Sequence, residues 1–401
     1  MNPYALLLEP APEGLRVEIW RRLDPRVQTV LLESGTLPAD DIVAHVVAEG
    51  ASHERAALAG NSSAWPELLM ELAERADREV AERLFDNPGA PREAMLRVLK
   101  LLPATGLLPA GRSRLHGLPE VRRISVVVES DDPDLTRRGL ELLDPDFMAV
   151  VPAVVLRGYL GILRAAGPRA VAEVRMDPWS PGDDLPRLVL EALGDPTDPG
   201  RLARALEVVG RTQSLAAELR KSRLRDRHIA VLHAPRAPLD WDLLLAEHRR
   251  EPFPRWSREA LTLQIGCPEE LRSPVAPHVF LPHRTLRAAI VPGLRRPRLV
   301  KQLPFLDRDG AERAQIEHAH EAGVLSAAVI LRHGAPALAA LGLFRDARGA
   351  SLADVRRALS TRTRKAWGGD LDAWVVALNL LPDFPGTVPE LIATARAITA
   401  P

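Results

Sequence analysis

The sequence predicts an all-α protein, an α-solenoid in which short helix pairs stack into a superhelix. Three observations carry that expectation. Thirty-six prolines are spread along 401 residues, as in a run of helices punctuated by turns, because proline starts helices well and continues them badly. Thr, Tyr and Ile are scarce, which removes much of what an all-β fold is built from. Finally, one local pattern recurs: a Leu, then Gly, Asn or Pro three residues later, then a Pro two to five residues on, then apolar residues at helical spacing.

Taken in chain order, Leu32-Glu33-Ser34-Gly35 leads to Pro38 and Ile42, and Leu58-Ala59-Gly60-Asn61 leads to Pro66, Leu69 and Leu72. Leu84-Phe85-Asp86-Asn87 leads to Pro91, Met95 and Val98. In the second half Leu232 precedes Pro235 and Pro238, Leu263 precedes Gly266 and Pro268, and Leu331 precedes Gly334 and Pro336. Each Leu closes an apolar helical face. The Gly or Asn after it is expected in the left-handed conformation that ends a helix, and the Pro in the first turn of the next one. Gly35, Asn61 and Asn87 stand 26 residues apart, Pro235 and Gly266 are separated by 31, and Gly266 and Gly334 by 68, or two units of 34. A short helix pair has an apolar face that it cannot bury alone, so such units stack.

The stretch from Ala57 through Ala73, with its echo at Leu84-Phe85-Asp86-Asn87-Pro88-Gly89-Ala90-Pro91, resembles the leucine-rich repeat variant family, bacterial α-helical repeats related in shape to HEAT repeats. The resemblance covers about residues 30–100. It implies a right-handed superhelix with a binding role, and it brings no catalytic residues.

The organisation expected from composition is an acidic helical-repeat region at 1–175, an Asp/Pro/Gly-rich linker or loop at 176–200, and a basic helical-repeat region at 201–401. The linker holds Asp177-Pro178 and Gly194-Asp195-Pro196-Thr197-Asp198-Pro199-Gly200, a cluster of turn signals. Leu102 to Pro119 reads as a loop, and Ile124 to Val128 suits a strand or a helix equally. The net charge of zero, from 53 basic and 53 acidic residues, divides into −10 over residues 1–200 and +10 over 201–401. Overall neutrality argues against a uniformly basic nucleic-acid binder. The asymmetry points to a polar partner, or to attraction between halves within one chain or across a homodimer.

The strongest local feature lies between Leu271 and Phe305, where Arg272, Arg284, Arg287, Arg295, Arg296, Arg298 and Lys301 occur with no Asp or Glu. On one face they make a groove for an anionic partner; scattered, they are solvated helix faces. Arg220-Lys221-Ser222-Arg223-Leu224-Arg225 with Arg227, and Arg356-Arg357 with Arg362, Arg364 and Lys365, are lesser basic clusters. Trp367 and Trp374 flank the only Gly-Gly; exposed, they form an interface hot spot, and buried, they belong to a terminal capping unit. Asp240-Trp241-Asp242-Leu243 is similar to a short motif of HEAT-like alkylpurine DNA glycosylases, although Trp241 falls on a core-facing position. His318 and His320 in Glu317-His318-Ala319-His320-Glu321 point about 200° apart on a helix and do not share a metal. Cys267, the single cysteine, is expected to be a small buried residue at a repeat turn.

Phosphate-loop, dinucleotide and hydrolase-elbow motifs are absent from the sequence, so no catalytic residue, cofactor or metal is expected. The functional expectation is a non-enzymatic helical-repeat scaffold that binds another protein; the alternative is a nucleic-acid-binding or DNA-repair-like HEAT-repeat protein using the basic half. One cysteine and an N-terminus without a basic-then-apolar pattern fit a cytoplasmic location. The apolar stretch Met148 to Leu163 is interrupted by Pro152 and Arg157, so no membrane span is expected.

Overall fold

Leu32, Leu58, Leu84 and Leu331 end helices where the pattern places them, and Leu232 and Leu263 lie outside the described residues. In the computed structural model the described residues are 2–33, 35–102, 118–130, 132–143, 152–175, 186–209, 212–221, 239–262, 264–272, 300, 303–306, 315–317, 319–320, 323–345, 347 and 349–400. Among them every regular element is a helix. None is long and apolar enough to cross a membrane. Leu32, Leu58 and Leu84 lie in the last turns of α3 (Pro25–Glu33), α5 (Ser52–Gly60) and α7 (Arg78–Asp86), all fully buried. After them come α4 (Asp40–Glu49), α6 (Pro66–Glu74) and α8 (Arg92–Leu99), which bury Ile42, Leu69, Leu72, Met95 and Val98. The recurring apolar positions are therefore core.

The turns between them differ from expectation. Asn61 and Asn87 have φ of −70°, and Gly334 has φ of −75°, so these helix ends are extended rather than left-handed. The asparagine side chains explain why. Asn61 is buried; its amide donates to the Leu32 carbonyl, and its Oδ1 accepts the Ser63 N–H at 2.8 Å. Asn87 Oδ1 accepts the Gly89 N–H at 2.7 Å. The side chain replaces backbone hydrogen bonds in the turn and removes the need for a positive φ. Gly266 does take the left-handed conformation, at φ +74°. Pro66 sits in the first helical turn as expected, whereas Pro91, Pro268 and Pro336 stand one position earlier, at N-caps with extended ψ.

The chain forms two compact units, residues 1–63 with 280–401 and residues 64–279. The division thus falls at 63/64 and 279/280. Of the expected linker, residues 176–185 lie outside the described part, and residues 186–200 belong to the second unit.

In the first unit, α1 (Pro3–Leu8) and α2 (Glu13–Arg22) precede α3, α4 and α5. The late segment supplies α17 (Ala327–His333), α18 (Ala337–Gly342), α19 (Gly349–Ala366), α20 (Leu371–Leu380) and α21 (Val388–Thr399). Helix α1 packs on α18 and α20, and α2 packs on both α4 and α20. Arg22 meets Asp372 at 2.9 Å, Asn379 Oδ1 accepts the Asp24 N–H at 3.0 Å, and Arg356 meets Glu9 at 2.8 Å. An open array has contacts only between neighbouring repeats; this unit joins segments some 350 residues apart.

The second unit holds α6–α8 and then α9 (Leu118–Val128), α10 (Pro133–Leu142), α11 (Pro152–Ala172), α12 (Arg187–Gly194), α13 (Pro199–Val209), α14 (Thr212–Lys221), α15 (Trp241–Arg250) and α16 (Arg255–Leu261). The run Ile124–Val128 is helical. Helix α11 breaks at Gly167, φ +82°, before Pro168. Helices α9, α10 and α11 pack closely around Val128: a Cβ at Gly139 or Gly158 would stand 2.7 or 2.6 Å from its methyl groups, so both positions require glycine.

The charge asymmetry of the sequence does not survive folding. The first unit holds 22 basic and 20 acidic residues and the second 31 and 33. Each is close to neutral because the first combines acidic N-terminal with basic C-terminal sequence.

Candidate functional site

The predicted basic patch is represented by one residue. Arg272 is exposed, and its Nε donates to the Cys267 carbonyl at 3.0 Å. Arg284, Arg287, Arg295, Arg296, Arg298 and Lys301 lie outside the described residues. In the lesser clusters Arg220 is bound to Glu247 at 2.7 Å and to Glu251 at 3.2 Å, with its guanidinium over the Phe253 ring. Arg356 is held by Glu9. Arg364 and Lys365 are exposed.

Trp367 and Trp374 are buried, which answers to the capping reading of the pair and corrects their candidacy as an interface. Their rings meet edge to face at 4.6 Å; Trp367 Nε1 donates to the Ile392 carbonyl at 3.1 Å and Trp374 Nε1 to the Gly368 carbonyl at 3.3 Å. With both indole N–H groups satisfied inside the unit, the pair fills core between α19, α20 and α21 and presents no face to a partner. Asp240 caps α15 by accepting the Leu243 N–H, and Trp241 packs partly buried on the core of Leu215, Leu219, Leu244 and Leu261. That geometry accounts for both residues structurally. His320 donates from Nδ1 to the Leu325 carbonyl and accepts the Ser351 hydroxyl at Nε2, at 2.9 and 2.7 Å, in the tautomer that satisfies both. Among the described residues no three His, Cys, Asp or Glu are placed to hold a metal. Cys267 is buried, and burial pushes its thiol up to about 12.

Two features of the second unit went unread in the sequence. One is a surface. Trp65, the N-cap of α6, is 41% exposed and Ile265 is 38% exposed. Glu67 Oε1 accepts the Gly266 N–H at 3.2 Å, which joins the chain segment of Ile265 to that of Trp65, and Gly266 lies against the half-buried Trp241. No local pattern joins residues 67 and 266, so only folding brings these segments together.

The other is a buried ionic cluster. Glu129, just past α9, lies between Arg92 of α8 and Arg157 of α11, with side-chain exposures of 1%, 7% and 4%. A carboxylate taken out of water is tolerable only when paired and hydrogen-bonded, and here two guanidiniums perform that role. The sequence did carry a signal: Arg157 interrupts the apolar stretch Met148–Leu163, and Glu129 directly follows Val126-Val127-Val128. A charge inside an apolar run is a buried charge in search of a partner. Beside the cluster is a cavity of about 330 Å³ between α10, α11 and α13.

No protein family, curated protein or solved structure matches the chain.

Proposed function

We propose that the protein is a non-enzymatic helical-repeat scaffold, of the HEAT-like or leucine-rich repeat variant kind, that binds another protein. The observation that supports this reading is the exposure of two large apolar side chains, Trp65 and Ile265, on segments joined by the Glu67–Gly266 hydrogen bond. An exposed indole and an exposed Ile on two joined segments have the make-up of an interface hot spot. The exposed indole costs solvation that a partner surface would recover. The nucleic-acid alternative has less support, because Arg220 and Arg356 are occupied by carboxylates and each unit is close to neutral.

The test compares wild type with a Trp65→Ala/Ile265→Ser variant as bait in crosslinking pull-downs from source cells. A protein captured by the first and lost by the second supports the reading; capture of a second copy of the chain would make the partner a homodimer. Equal capture by both baits overturns it, as does salt-sensitive binding to duplex DNA that the variant retains.

A further inference from the structure

We propose that the cavity beside Glu129 binds a small organic anion, an oxyanion headgroup on a short apolar body. Its volume, about 330 Å³, falls at the lower end of the range for small-molecule sites. Its polar side is built from cations. Arg157 and Arg164 both line it from α11, seven residues apart and so on the same helical face. Arg157 is 5% exposed and held in place through Glu129, with Arg92 behind the same carboxylate. Arg164, at the mouth, is exposed and makes no ion pair among the described residues. Two cations and one already engaged carboxylate line the space, so the field inside favours an anion. Arg also offers a planar fork of donors that matches a carboxylate or phosphate in two places at once.

The remaining walls define the rest of the ligand. The hydroxyls of Ser130 and Thr136, 3.3 Å apart, stand at one side. Val128, Leu160 and Leu206 supply apolar surface, which an inorganic ion would leave uncovered. Gly161 lies one turn after Arg157 and one turn before Arg164, and a Cβ there would meet no atom within 4 Å. A glycine in mid-helix costs about 1 kcal/mol relative to alanine, and neighbouring atoms do not require it, unlike Gly158 on the same helix. The open space over Gly161 is the floor on which the ligand rests.

The experiment is calorimetric titration of the full chain with octanoate and hexyl phosphate, with octanol and inorganic phosphate as controls. Saturable, one-to-one binding of octanoate or hexyl phosphate is expected, and which of them binds more tightly identifies the headgroup. Arg164→Gln removes a charged donor from an exposed position and is expected to weaken binding about tenfold or more. Gly161→Leu fills the cavity while raising helix propensity and is expected to abolish binding. Circular dichroism unchanged from wild type checks that both variants are folded. Three results each overturn the proposal: no saturation by either amphiphile at about 1 mM, binding indifferent to both substitutions in folded protein, or octanol or inorganic phosphate binding as tightly as the amphiphilic anions.

Discussion

Replacing Glu129 by glutamine leaves the shape of the buried cluster intact and removes the carboxylate that meets both Arg92 and Arg157. Arg92 and Arg157 would then face each other and a neutral amide, at positions where all three side chains are at most 7% exposed. The change removes one charge-assisted hydrogen bond, from Arg157, worth about 1.5–3 kcal/mol, and the ion pair with Arg92. Breaking buried ion pairs by removal of one member costs about 3–5 kcal/mol, which sets the expected size of the effect. A chain of two units need not unfold in one step, so the effect is best read locally, by hydrogen exchange of the α8, α9 and α11 amides. A cost of that size accelerates exchange through local opening by about a hundred- to several-thousand-fold. The triple variant Arg92→Met/Glu129→Leu/Arg157→Met removes every charge and is expected to return protection to near the wild-type level. Exchange in Glu129→Gln within about threefold of wild type, or a triple variant no better than the single one, would refute the view that the carboxylate neutralises its neighbours.

Three further outcomes follow from the geometry. Leu58→Ala and Leu84→Ala, each at a fully buried position, are expected to destabilise their own units by about 2–5 kcal/mol in denaturant unfolding; changes near zero at both would mean the repeat face is wrongly placed. Cys267, buried with its thiol pushed up to about 12, should resist a thiol-specific disulfide reagent in the folded chain and react fully once denatured, and rapid labelling of native protein would contradict this. His248 is held below the ordinary histidine value, chiefly by burial and then by the Arg258 charge, and its Nδ1 accepts the Phe253 N–H at 2.9 Å. Below about pH 6.5 the unfolded chain takes up a proton that the folded one refuses, so this contribution to stability is complete above that pH and is lost as pH falls through the unfolded value toward the lowered folded one. A titration of the His248 ring by NMR giving an ordinary or raised value would contradict the assignment.

Much of the helical content was legible because its causes are local. Leu58 and Leu84 end apolar faces and Pro66 starts a helix, each within a turn of the backbone it governs. The turns were misread at Asn61 and Asn87 because an asparagine serves two devices, a left-handed cap or a side-chain bracket, and the choice depends on an acceptor such as the Leu32 carbonyl, 29 residues away. The Trp367–Trp374 pair was ambiguous for a similar reason: an indole beside arginines reads alike whether or not α21 covers it. For the candidate site the sequence offered Arg157 as an oddity within an apolar stretch, but neither Arg92 nor Glu129 as its counterpart.

Residue order alone established an all-helical chain with leucine-lined faces, because helix starts, stops and apolar periodicity depend on residues within about four positions of one another. Tertiary structure decided the rest: that residues 1–63 share a unit with 280–401, that the −10 and +10 halves dissolve into two near-neutral units, and that Glu129 sits between Arg92 and Arg157. Those outcomes rest on non-local burial. Which distant segment covers an apolar face, and which distant charge neutralises a buried one, is settled by the free energy of the packed unit.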